Sequence, residues 1–132
     1  MNEHGTFMWN YLVTEDQKSS GDFYCKLFGW EKIEVNAGPF GTYTIFKRDG
    51  KDTAGMMNPT IDYTRKLGAR WYAFIAVDDI DVSMARAKEL GATVITGPDD
   101  VPGIGRTCLL ADPAGALIPL MQQTNINEND TR

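Results

Sequence analysis

The chain repeats itself at half length. Trp9-Asn-Tyr-Leu-Val-Thr-Glu-Asp16 opens one half, and Tyr72-Ala-Phe-Ile-Ala-Val-Asp-Asp79 opens the other. Each run is strand-like, ends in acidic residues and leads into a helical segment that stops at a glycine. The first stops at Lys26-Leu-Phe-Gly29 and the second at Lys88-Glu-Leu-Gly91. The echo continues at near-constant offset, with Gly41-Thr-Tyr-Thr-Ile-Phe46 matching Gly105-Arg-Thr-Cys-Leu-Leu110. A chain that writes one unit twice is expected to fold as two similar modules, with any site at their seam.

Local patterns give the same element order in both halves. Phe7 to Thr14 has strand character, and Ser20, Phe23, Tyr24 and Leu27 share one face of a helix that Asp16 would cap and Gly29 would end. Strands are expected at Trp30–Val35, Thr42–Arg48 and Ala54–Met57, the last two joined by a turn at Asp49-Gly50. The second half restarts with a strand at Arg70–Val77. A helix capped by Asp79 follows, with Ile80, Met84, Ala87 and Leu90 apolar, and then strands at Thr93–Thr96, Arg106–Ala111 and Ala116–Met121. Gly97 to Gly103 reads as a loop. The fold class is therefore α+β: two βαβββ modules forming a curved, mostly antiparallel cup with helices outside. Module one spans about residues 5–57, a linker 58–69, module two about 70–122 and a polar tail 123–132.

Alternation along the strands then sorts side chains by face. Ala73, Ile75 and Val77 suit the helix-facing row, which leaves Tyr72, Phe74 and Ala76 on the concave side. The corresponding row in the first half is Trp9, Tyr11 and Val13. Two aromatics from each half are thus expected to line one cup.

Composition narrows the function classes. At 132 residues and 42% apolar content the chain can bury a substantial core as one domain. No apolar run approaches the length of a membrane span, and Met1 to Thr6 lacks the basic start of a secretory signal, so a soluble, cytoplasmic protein is expected. A net charge of −5 argues against nucleic acid. Lys47, Arg48 and Lys51 are interleaved with Asp49 and Asp52, the composition of a solvated turn. The two cysteines, Cys25 and Cys108, lie in apolar surroundings on a helix and a strand, with no activating base nearby in sequence.

Asp22-Phe-Tyr-Cys-Lys-Leu-Phe-Gly-Trp-Glu31, Val77-Asp-Asp-Ile-Asp81, Lys88-Glu-Leu-Gly-Ala92 and Asp112-Pro-Ala-Gly115 together resemble the vicinal oxygen chelate superfamily. That superfamily contains glyoxalase I, the bleomycin-resistance proteins and the extradiol dioxygenases. The resemblance covers nearly the whole chain and implies a cup assembled from paired modules. It also implies that metal-dependent members hold a divalent ion through His, Gln and Glu side chains from both halves. Here the matching positions carry Trp9, Tyr72, Pro119 and, on the fourth strand, Gly55 or Met57. None suits a hard or borderline divalent ion. The flanking Asn10, Ala73 and Ile118 are no better, and the one histidine, His4, precedes the first strand. The resemblance therefore implies the metal-free branch, with no metal and no cofactor.

The expected ligand-binding residues are Trp9, Tyr11, Met57, Tyr72, Phe74, Arg106, Pro119 and Met121. The aromatics offer stacking surface, the methionines an adaptable wall, and Arg106 a grip on an anionic group. The aromatics could equally fill the cup as core, and Arg106 could pair with Asp99 or Asp100. No catalytic residue is assigned. Three functions remain open: a metal-independent small-molecule binder, a lyase or dioxygenase whose ligands come from Gln122, Gln123 or a neighbouring chain's histidine, and a structural or regulatory module with a filled cup. A small molecule is the expected partner, with neither nucleic acid nor membrane, and the resemblance implies a second copy in a homodimer, since superfamily members often pair.

Overall fold

A computed structural model describes residues 2–101 and 104–123. Its elements run β1 (Phe7–Val13), α1 (Gln17–Phe28), β2 (Glu31–Asn36), a single 3-10 turn, β3 (Thr42–Arg48), β4 (Lys51–Met57) and α2 (Asp62–Leu67). They continue with β5 (Arg70–Ala76), α3 (Ile80–Glu89), β6 (Thr93–Val101), β7 (Gly105–Ala111) and β8 (Leu117–Gln123). The βαβββ order thus occurs twice, and the class is α+β. The chain forms two compact units: Trp9–Tyr72 is one, and the residues up to Met8 combine with those from Ala73 onward to make the other.

In the unit Trp9–Tyr72 the strands lie in the order β2-β3-β4-β1. β2, β3 and β4 are antiparallel neighbours, and β4 pairs in parallel with β1. The β3–β4 hairpin turns through Asp49 and Gly50, both at positive φ, and Lys47 reaches Asp52 at 2.7 Å, the solvated turn its composition predicts. Local chemistry sets the ends of α1. The Asp16 carboxylate accepts from the Ser19 amide at 2.9 Å, and Gly29 closes the helix at φ 74°. Beneath α1 lies a core of Leu12, Phe46, Ala54 and Met56, with Tyr24, Cys25 and Trp30 packed against it.

The face that α1 buries differs from the expected one. Gly21, Tyr24 and Cys25 point inward, whereas Phe23 and Leu27 are 56% and 57% exposed. The reason is close approach at Gly21, where an added Cβ would lie 3.0 Å from Lys32 Nζ and 3.2 Å from Met56 Cε. A glycine costs a helix about 1 kcal/mol against alanine. Here it lets the backbone settle onto β2 and β4, which rotates Phe23 and Leu27 outward.

The second unit repeats the plan with the order β5-β8-β7-β6, one parallel and two antiparallel pairs. Asp79 caps α3 by accepting from the Asp81 and Val82 amides at 3.0 and 3.2 Å. Ile80 and Met84 descend from α3 onto Cys108, Leu110 and Leu120, with Ile75, Val77, Ala87, Val94 and Ile118 around them. Leu90, expected on this face, is exposed. The loop expected from Gly97 is instead a continuation of β6 to Val101, paired with β7 through Asp99, Asp100 and Val101. Two register shifts around Thr96 absorb Gly97-Pro98, and β6 is an edge strand, where a proline costs no ladder bond. Pro102, Gly103 and the polar tail beyond Gln123 lie outside the described residues. No helix among the described residues is long and apolar enough to cross a membrane.

Candidate functional site

Strand alternation divides each unit into a helix side and an opposite side. In the first unit Leu12, Phe46, Ala54 and Met56 face α1, so Trp9, Tyr11 and Val13 on β1 face the other way. Cross-strand register extends that row: Tyr43 opposes Met57, Ile45 opposes Gly55, and β1 places Tyr11 beside Gly55 and Val13 beside Met57. At its centre the Trp9 indole N–H donates to the Tyr43 hydroxyl at 2.6 Å. Both rings lie over Gly55. A Cβ there would overlap the Tyr43 hydroxyl and sit 3.0 Å from Trp9 Nε1, so glycine is what lets the pair close.

Tyr72 belongs to the same unit although it comes from the second sequence repeat. Its ring stacks on Tyr11 with centroids 5.3 Å apart and planes 19° from parallel, a geometry worth about 0.5–1.5 kcal/mol beyond area burial. The Arg70 guanidinium lies 5.9 Å from the Tyr72 ring centroid. Burial raises the Tyr11 phenol well above its ordinary range, with Tyr72 and Tyr43 adding to the effect. Burial also raises Tyr43, partly opposed by the bond from Trp9, and raises Tyr72, partly opposed by Arg70. These phenols are therefore neutral groups at physiological pH, suited to hydrogen bonding and not to acting as anionic bases.

Met57 lies in this row too. Phe74, Pro119 and Met121 belong to the second unit, on its face away from α3, where Met121 lies beside Ala76 and Thr107 and Pro119 opposes Leu109. Arg106 does not join them. It shares the helix-side row with Cys108 and Leu110, and its guanidinium meets both Asp100 oxygens at 3.1 Å and Asp81 Oδ1 at 3.2 Å. These contacts make it an ion-pair partner of α3 and the β6 edge, and the pair to Asp100 is one of the two readings its sequence position allows. Tyr43 was not among the expected residues. The signal that finds it is the alternation of β3, where Thr44 and Phe46 face the helix and leave Tyr43 and Ile45 on the opposite side.

Trp9, Gly55, Met57 and Tyr72 of the first unit supply no carboxylate, imidazole or thiolate, and neither does Pro119 of the second; among the described residues no three His, Cys, Asp or Glu side chains converge. His4 is used locally, its Nδ1 accepting from the Asp78 amide at 3.0 Å. Cys108 is buried beneath α3, where desolvation pushes its thiol up to about 11, far from a nucleophilic thiolate.

The sequence profile of the Glyoxalase/Bleomycin resistance protein/Dioxygenase superfamily matches residues 5–120. The chain belongs to this superfamily. It is 39% identical to the anthracycline biosynthesis protein DnrV of Streptomyces peucetius, the match covering 85% of this chain and 45% of that protein. The protein CFP32 of Mycobacterium tuberculosis is 32% identical, with coverages of 92% and 46%. The chain thus spans about half the length of the curated relatives it matches. Among solved structures, the methylmalonyl-CoA epimerase of Mycobacterium tuberculosis superposes with a TM-score of 0.66 at 14% identity, covering 98% of this chain and 97% of that one. The hypothetical protein BH1468 of Bacillus halodurans gives 0.69 at 13%, covering 92% and 96%. These likenesses place the chain in the glyoxalase-like fold shared across the superfamily.

Proposed function

We propose that this superfamily member is a metal-independent binder of a planar aromatic small molecule. The observation that carries the reading is the aromatic face of the first unit. A stacked Tyr11–Tyr72 pair and a hydrogen-bonded Trp9–Tyr43 pair stand there on a floor of Gly55. Flat ligands gain from such rings by desolvation and offset stacking. The side chains support a metal-free mode, because nothing at the ligand positions is suited to hold the ion that acts as Lewis acid in the superfamily's metal enzymes. Two relatives named for anthracycline biosynthesis, DnrV and DauV, suggest where to begin the search, since an anthracycline is a planar polycyclic quinone.

Binding is tested by titrating the protein with an anthracycline. Tryptophan fluorescence is expected to quench with a dissociation constant in the micromolar range or tighter, and Trp9→Phe is expected to remove most of the signal. Treatment with EDTA should leave the affinity unchanged. Loss of binding after chelation would end the metal-independent reading.

The same reading takes the chain as a cytoplasmic homodimer with two unpaired thiols. What supports the dimer is the row Phe23, Leu27 and Phe28 left exposed on α1, together with Trp71 nearby against Tyr24. Sedimentation equilibrium is expected to return twice the chain mass; a monomer at tens of micromolar would refute it.

A further inference from the structure

Resting on the aromatic-face reading, we propose that the Tyr72 hydroxyl is its polar anchor. It donates a hydrogen bond to an acceptor oxygen, a carbonyl or quinone, on the edge of the planar ligand.

Tyr72 is 6% exposed, and its hydroxyl is the buried side-chain polar atom without a hydrogen-bond partner among the described residues. Buried hydroxyls are ordinarily paired, and leaving one bare is costly. The partly buried Tyr43 follows that rule, its hydroxyl accepting from the Trp9 indole at 2.6 Å. Tyr72 departs from it, although its ring stacks on Tyr11 and lies 5.9 Å from the Arg70 guanidinium. A stacked ring with an unspent hydroxyl is preorganised for an acceptor that reaches it as the side chains covering it move aside. Burial keeps the phenol protonated, so it acts as a donor and selects for oxygen acceptors. Hydrocarbon rings gain the stacking without the bond. Quinones gain both.

A matched pair of probes separates the two contributions: anthraquinone-2-sulfonate, which carries two ring carbonyls, and anthracene-2-sulfonate, which carries none. Calorimetric titration of the wild type is expected to show about tenfold tighter binding of the quinone. In Tyr72→Phe that preference should vanish while the anthracene affinity stays within about twofold, and the ligand-free variant should melt at the same temperature or higher. The proposal is overturned if the preference survives in Tyr72→Phe. A wild type that binds both probes equally also overturns it while leaving the aromatic-face reading intact. So does a lower melting temperature for the ligand-free variant, which would reveal an internal partner for the hydroxyl. A wild type that binds neither probe removes the aromatic-face reading and this proposal together.

Discussion

Phe46→Ala is expected to lower the unfolding free energy by about 3–5 kcal/mol. Phe46 is fully buried, its ring 5.1 Å from Trp30 and 6.2 Å from Tyr24, and it shares the core beneath α1 with Leu12, Ala54 and Met56. Truncation removes the transfer energy of the ring and leaves a void lined by rigid aromatics and strand backbone, which relax poorly. Natural domains are stable by only about 5–15 kcal/mol, so the variant should sit close to its unfolding midpoint in mild denaturant. Urea denaturation followed by tryptophan fluorescence measures the loss. A change below about 1 kcal/mol would show that the core beneath α1 is not packed as described. Phe46→Leu, which fills most of the volume, should cost appreciably less.

Gly55→Val should act on binding more than on folding. Gly55 lies within β4 and valine favours strands, so the backbone itself tolerates the change. The side chain does not fit, because its Cβ would occupy the position of the Tyr43 hydroxyl. Tyr43 must swing away, the bond from Trp9 is lost, and the floor of the aromatic face rises. Affinity for an anthracycline is expected to fall at least ~30-fold, corresponding to about 2 kcal/mol. Stability should fall by about 1–3 kcal/mol from overpacking. Adding Tyr43→Ala relieves the overlap, so the two losses in stability should combine less than additively, by about 0.5–3 kcal/mol. Calorimetry and thermal melts read the two effects separately. Unchanged affinity in Gly55→Val would move the binding site elsewhere.

What the sequence disclosed, and what it hid, follows from how locally each feature is determined. The helix caps at Asp16 and Asp79 and the αL closure at Gly29 depend on a few adjacent residues, and all three stand in the structure. The strand Thr42–Arg48 was legible residue for residue, because alternation and flanking glycines mark it. The buried face of α1 was not, because Gly21 carries no apolar signal and its effect lies in what it allows Lys32 and Met56 to approach. The short helix α2 lacks apolar periodicity; Arg65 within it pairs with Asp62 three residues earlier and with Glu15, and only the first of these partners is legible in sequence. The extension of β6 through Gly97-Pro98 depends on pairing with β7, a tertiary choice that overrides local turn chemistry. Of the candidate site, the rows of Trp9, Tyr11 and Tyr72 were readable from alternation. The bond from Trp9 to Tyr43 required knowing that β1 and β3 flank β4.

The tandem arrangement of the repeats also differs from the grouping of the folded units. The chain passes between units at Met8–Trp9 and at Tyr72–Ala73, and Gly5 and Thr6 exchange backbone hydrogen bonds with Ala76. Translation halted in the linker would therefore give a peptide whose first residues have lost the strand they were made to pair with. Its counterpart, begun at the linker, would start without the segment that flanks Ala76. The two sequence repeats are therefore not the two folded units, and a cut in the linker would part Gly5 and Thr6 from Ala76.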